Sequence, residues 1–134
     1  MFPQKLDRKK IPELTRIFLN TPYLWGGRTV FGMDCSGFTQ VVFKMLGIKL
    51  PRDANVQSGT GDPVHLIHEA RPGDLAFFGK PDEGIDHVGI LYGDNQIIHS
   101  HGMVRLDRID HQGIFNTSTG KYSHFLRLIK RVWP

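Results

Sequence analysis

Apolar positions recur with two different periods along the chain, and the change of period marks a change of element. Ile11, Leu14, Ile17 and Phe18 are spaced for one face of a helix over residues 11–19, with Pro12 tolerable in its first turn and Asn20-Thr21-Pro22 ending it. Phe38, Val41, Val42 and Met45 repeat that spacing in a second helix, which Gly47 stops. From residue 75 onward strands take over. Leu75-Ala76-Phe77-Phe78 is apolar without interruption, the pattern of a strand buried on both faces. The runs 86–92 and 96–100 are β-rich and flank Gly93-Asp94-Asn95, so they predict a hairpin. His87 and His99 are equidistant from Gly93, and a hairpin centred there sets them opposite each other on one face.

Met103-Val104-Arg105-Leu106 and residues 125–132, the latter alternating apolar with basic, predict further strands. Between these elements, residues 58–69 read as a surface connection and 110–123 as a long loop. Helices first and mostly antiparallel strands afterwards predict an α+β fold. The whole of 1–134 reads as one domain, without repeat, low-complexity segment or linker.

Composition narrows the partners. With 40% hydrophobic and 22% charged residues the chain reads as globular, and no apolar run approaches the roughly 20 residues of a membrane span. The net charge of +4 is scattered, with short basic runs only at Arg8-Lys9-Lys10 and 127–131 and no nucleic-acid motif, so no nucleic-acid partner is expected. Residues 1–8 have no apolar leader core, which implies a cytoplasmic protein unless an export segment is missing from this chain. A single cysteine forms no internal disulfide and fits either redox compartment.

That cysteine carries the chemistry. Met33-Asp34-Cys35-Ser36-Gly37-Phe38 places Cys35 on the turn that opens the second helix, where free N–H groups and the helix dipole favour a thiolate, the nucleophilic form. Taken alone, a lone cysteine reads as a small buried core residue. A nucleophile needs a base, and the base needs a third group to hold its tautomer; Cys35, His87 and His99 fill these roles. His65, His68, His111 and His124 read as surface residues without a task. A competing reading makes His87, His99 and His101 a zinc set, since His99 and His101 alternate onto one strand face, but it leaves Cys35 unexplained.

Tyr23-Leu24-Trp25-Gly26-Gly27, Asp34-Cys35-Ser36-Gly37, Leu50-Pro51-Arg52, Arg71-Pro72-Gly73-Asp74-Leu75, His87-Val88-Gly89-Ile90 and Ile97-Ile98-His99 stand in an order that resembles the NlpC/P60 cysteine peptidases. The likeness is nearest to the catalytic domain of γ-D-glutamyl-L-diamino acid endopeptidases, with 99–107 and 113–116 adding to it. It implies a papain-like fold, with the nucleophile helix packed on a barrel-like sheet. It also implies cleavage of bacterial cell-wall stem peptides, L-Ala-γ-D-Glu-diamino acid, through a thioester, with Tyr23 as a pocket wall and Asp34 and Ser36 as substrate-binding residues. Asp34 is equally well explained as a helix N-cap, and Arg52 as a structural ion-pair partner.

No cofactor and no metal are expected, the chain reads as a monomer, and its place is the cell envelope or periplasm if it is exported. Relatives often carry SH3-like domains, whereas the reading of 1–134 as one catalytic domain expects none within it. Related folds also host amidases and acyltransferases, and a catalytically silent cell-wall peptide-binding module is the remaining alternative.

Overall fold

The computed structural model describes residues 10–29 and 32–133. The N-terminal stretch read for a leader therefore lies outside the described residues. Three helices, α1 (Ile11–Arg16), α2 (Cys35–Met45) and α3 (Ala54–Gln57), lie N-terminal to most of the sheet. A small ladder joins β1 (Arg28–Thr29) to β2 (Gly32–Met33). The main sheet contains β3 (Asp62–Val64), β4 (Leu75–Phe78), β5 (His87–Gly93), β6 (Gln96–His101), β7 (Met103–Ile109), β8 (Gly113–Asn116) and β9 (Lys121–Arg131). Its order is β3-β9-β4-β5-β6-β7-β8, and β8 returns to pair with β9. Every pairing is antiparallel, so β9-β4-β5-β6-β7-β8 form a closed barrel with β3 added alongside the end of β9. Closure removes free strand edges from this part of the molecule.

The uninterrupted apolar run of β4 has a direct cause here. Leu75 and Phe77 face outward into a core shared with Ile11, Phe38, Val42 and Phe43, whereas Ala76 and Phe78 face the barrel interior with Leu91, Ile97, Ile109 and Ile114. An antiparallel strand thus reads as doubly buried, because helices cover the outside of a barrel that is itself filled. All four residues are essentially inaccessible.

Several elements depart from expectation. The first helix ends at Arg16, and Asn20, with φ of 72°, turns the chain. The buried face of α2 is rotated toward Thr39 and Phe43, leaving Met45 41% exposed. Residues 58–69 contain β3, which pairs with β9, and 110–123 contain β8, so neither is simply a connection. Both strands are too short to carry a period of their own, and only their partners define them.

The hairpin register also differs. Asp94 and Asn95 both adopt positive φ, 53° and 61°, making a two-residue turn between Gly93 and Gln96. Ile90 pairs with Ile98 and Leu91 with Ile97. Extending that register sets His99 across from Gly89, two residues from the expected partner His87. An offset of two preserves the face. Gly89 is what permits the crossing, because a Cβ there would lie 2.9 Å from the His99 Cβ and 2.7 Å from Ile97 Cδ1.

Candidate active site

Asp34 opens α2. Its backbone is extended, and its Oδ1 accepts a 2.6 Å hydrogen bond from the Gly37 N–H, so the N-cap reading holds. Arg52 grips the same carboxylate with both ends of its guanidinium, at 3.0 and 2.7 Å, and donates to Ser36 Oγ at 2.9 Å. Gly26 N–H reaches Asp34 Oδ2 at 3.1 Å. Arg52 is therefore an ion-pair partner, as the sequence suggests. The first turn is held further by Gln57, fully buried, which accepts from Thr39 and donates to the Ser36 and Pro51 carbonyls at 3.2 and 2.7 Å.

Cys35 is the first residue of the helix and is buried against the start of β5. Its Sγ lies 4.0 Å from the Asp86 carbonyl, a weak contact, and the backbone N–H of Val88, the residue after His87, favours its ionised form. The expectation of a helix-stabilised thiolate is overturned by burial. Desolvation pushes the thiol above its ordinary value; the N–H groups of Val88, Ser36 and Cys35 pull it down without reversing the shift, and the Asp34 charge opposes them. A helix terminus contributes only about 0.3–1 kcal/mol at an exposed site, too little to offset the loss of solvent here.

His87 and His99 meet on the barrel-interior face. His87 Nε2 and His99 Nδ1 are 2.8 Å apart, and the rings are nearly perpendicular. Burial lowers both imidazoles, with neighbouring imidazoles adding to the effect on His87. Both rings are consequently neutral near pH 7. The pair continues into a group that the sequence reading missed: His99 Nε2 is 2.7 Å from Asp107 Oδ2, and Arg105 flanks that carboxylate at 2.9 and 3.1 Å. Asp107 sits eight residues beyond His99 in a strand whose alternation marks it only as half-buried. No local signal sets it apart from the other aspartates.

His124, read as a surface residue, stacks on His87 with ring centroids 4.0 Å apart and planes 20° apart. Burial, helped by His99 and His101, lowers it to about 3. An unfolded histidine takes up a proton below about pH 6.5. Folded His124 does not until about pH 3. Its contribution is thus complete above pH 6.5 and is lost as pH falls toward 3.

Changing His124→Phe, which keeps the stack, is expected to reduce the acid loss of stability by up to about 1.4 kcal/mol per pH unit, less for a half-buried ring. Urea unfolding at pH 7.5 and 4.5 measures it. The same loss in both proteins would rule out this role.

The zinc reading finds no support in the geometry. His87 and His99 turn one nitrogen each toward the other, His99 gives its second to Asp107, and His101 is exposed with its ring centroid 6.3 Å from that of His87. Among the described residues no group of three or more histidine, cysteine, aspartate or glutamate side chains is placed to hold a metal ion. His65, His68 and His111 are exposed.

Tyr23, Trp25, Asp34, Ser36, Arg52 and Asp86 line an open cleft of about 440 Å³ above Cys35. The predicted pocket residues are thus gathered at the thiol. Tyr23 stands half out of the wall, 37% exposed, with its backbone N–H tied to the Gly102 carbonyl at 2.9 Å. A larger cavity, about 600 Å³, lies at the far end of α2 beside Lys44 and Lys49, away from the chemistry.

A helix that begins at a cysteine, laid on the outside of a closed antiparallel barrel, is a papain-like arrangement. The chain belongs to the NlpC/P60 family, whose model matches residues 20–122. It is similar to a γ-D-glutamyl-L-lysine dipeptidyl-peptidase of Bacillus cereus, 44% identical over 88 residues that make up 63% of this chain and 26% of the relative. A Bacillus subtilis protein of the same description is 43% identical over 100 residues, 72% of this chain and 33% of that protein. The crystal structure of an NlpC/P60 family protein from Bacillus cereus superposes with a TM-score of 0.82 at 30% identity, over 96% of this chain and 41% of that one. The chain thus spans about a quarter to a third of the length of the two curated relatives. Among the described residues no helix is long and apolar enough to cross a membrane.

Proposed function

We propose that this chain is a cysteine endopeptidase domain that hydrolyses the amide between D-glutamate and the diamino acid of peptidoglycan stem peptides. The observation that carries this reading is the 4.0 Å contact of the Cys35 sulfur with the carbonyl of Asp86, the residue just before a histidine hydrogen-bonded to a second histidine. The curated relatives described as γ-D-glutamyl-L-lysine dipeptidyl-peptidases support the substrate class.

The resting pair is a neutral thiol and a neutral imidazole, so the proton moves as the sulfur attacks. Cys35 Sγ bonds to the amide carbon, His87 takes the thiol proton and returns it to the leaving amine, and water then hydrolyses the thioester with His87 as base. His99 holds the His87 ring. Backbone N–H groups at the start of α2 face the developing oxyanion, each worth on the order of 3 kcal/mol in enzymes where one was removed. Tyr23, Asp34 and Ser36 form the wall against which the L-Ala-D-Glu part lies. Asp34 acts there through its charge and through its hold on Arg52, because its oxygens already accept from Gly26, Gly37 and Arg52.

The test is mass spectrometry of L-Ala-γ-D-Glu-diaminopimelate and its lysine counterpart, with free or acetylated L-alanine, after incubation with the protein and with Cys35→Ala. Release of L-Ala-D-Glu by the parent alone, faster from the unblocked peptides, is the expected result. Cleavage by both proteins would dismiss the reading, and cleavage by neither would favour a peptide-binding module.

A further inference from the structure

The histidine pair leaves one chemical question that the heavy atoms answer only through a third group. An imidazole facing another imidazole across 2.8 Å shares a single proton, and either ring can be the donor. If His99 donated from Nδ1, His87 would keep its proton on Nδ1 and have no lone pair left for a thiol proton. Something must choose.

We propose that Asp107 is the positioning residue that makes this choice, setting the tautomers of His99 and His87 in turn and leaving His87 Nδ1 as the nitrogen that accepts the Cys35 proton. The inference rests on the cysteine-peptidase reading for its catalytic consequence, but its statement about proton positions stands on the resting protein alone. Asp107 is on β7 and His99 on β6, where Ile97 pairs with Asp107 and His99 with Arg105. The carboxylate is therefore diagonal to His99 on the same face, within reach of a ring that crosses over Gly89.

The chain of assignments is forced once the carboxylate is ionised. An ionised carboxylate only accepts, so the 2.7 Å contact between Asp107 Oδ2 and His99 Nε2 is a donation from His99. Neutral His99 carries one ring proton, so its Nδ1 is an acceptor. The 2.8 Å contact is then a donation from His87 Nε2, and His87 Nδ1 holds the free lone pair. Burial pushes the Asp107 carboxyl up, but the His99 hydrogen bond, and beyond it the Arg105 guanidinium, outweigh burial and hold it below its ordinary value.

Arg105 is 29% exposed at its side chain and Asp107 is 3%, so the cation lies at the rim and the anion inside. In the reaction the S–H bond breaks, its proton goes to His87 Nδ1, and the sulfur electron pair forms the C–S bond. The His87 imidazolium so formed is separated by neutral His99 from the fixed negative charge of Asp107, which favours it without placing that charge beside the thiol.

The experiment is long-range proton–nitrogen NMR of the 15N-labelled chain at pH 7.5 without substrate, combined with kcat and KM on the preferred stem peptide for Asp107→Leu and Asp107→Asn. The parent protein is expected to show His99 and His87 both protonated on Nε2. Asp107→Leu, which removes the acceptor, should lose that tautomer pair and lower kcat by on the order of 10² to 10⁴ with KM within about twofold. Asp107→Asn should keep the tautomers, because an amide oxygen at the Oδ2 position still accepts from His99 Nε2, and should lose about tenfold or less.

A His87 protonated on Nδ1 in the parent overturns the proposal, and this spectrum needs no variant to fold. So does a fall in kcat for Asp107→Leu with the parent tautomers retained, which would mark a merely structural residue. A parent that shows the expected tautomers but cleaves no stem peptide would refute the peptidase reading while leaving the proton assignment standing.

Discussion

Cys35→Ala is expected to lower stem-peptide cleavage by on the order of 10⁴ to 10⁶, the scale seen when a nucleophile is removed from a hydrolase whose remaining groups still bind and polarise the substrate. The magnitude follows from the lack of a substitute. No second thiol exists in the sequence, and the aliphatic hydroxyl that lines the cleft beside Cys35, Ser36 Oγ, is engaged by Arg52 at 2.9 Å.

The substitution should be structurally mild. Cys35 is 9% exposed and belongs to the helix-side core, so trading its sulfur for a methyl group removes a small apolar volume at a cost of about 1 kcal/mol. Thermal unfolding therefore has to show a small shift beside a large kinetic loss. Cys35→Ser adds a sharper criterion, since an alcohol is a poorer nucleophile than a thiol and the neutral His87 is a weak base for it. Retained turnover in either variant, measured against a mock purification, would move the nucleophile elsewhere.

Asp34→Ala is expected to produce the largest loss of stability among single changes at the cleft, about 2 to 3 kcal/mol, which for a chain of this size is roughly 10 °C in Tm. The carboxylate does three things at once. It caps α2 through Gly37, anchors the Gly26 N–H of the preceding loop, and pairs with both ends of the Arg52 guanidinium.

Removing it frees the first turn of the helix that presents Cys35 and leaves Arg52, 30% exposed at its side chain, to rehydrate and swing away from Ser36. Asp34→Asn separates these contributions: it keeps an acceptor for the cap while weakening the ion pair, so about half the loss is expected. Calorimetry on the three proteins gives the order parent, Asn, Ala. Equal stability of all three would mean that the α2 start is held by Gln57 and packing alone.

The residues proposed to carry the chemistry were unequally visible beforehand. Cys35 was legible because its signal is local: a capping aspartate, then a helix of defined spacing, all within one turn of the cysteine. His87 and His99 were legible as residues on one face of one hairpin, since a strand's period of two survives an error of two in register. Their true relation was not legible, because it depends on Asp94 and Asn95 both adopting positive φ and so moving the turn one residue along. Asp107 and His124 were invisible for a different reason. Each reaches the pair from a neighbouring strand or across the barrel, and nothing in its own surroundings distinguishes it from a surface residue.

By itself the sequence determined what short-range physics can determine: the α+β order of elements, the helix that begins at Cys35, the doubly buried strand at Leu75–Phe78 and the hairpin after it. Capping, turn chemistry and hydrophobic period act over a few residues, so they can be read in place. The tertiary structure alone decided the barrel closure through β8 and β9, the addition of β3, the protonated state of a thiol whose ionisation burial opposes, and the reach of the histidine pair to Asp107. Those outcomes depend on desolvation and on contacts between segments distant in sequence, whose strength is set by what else is packed around them.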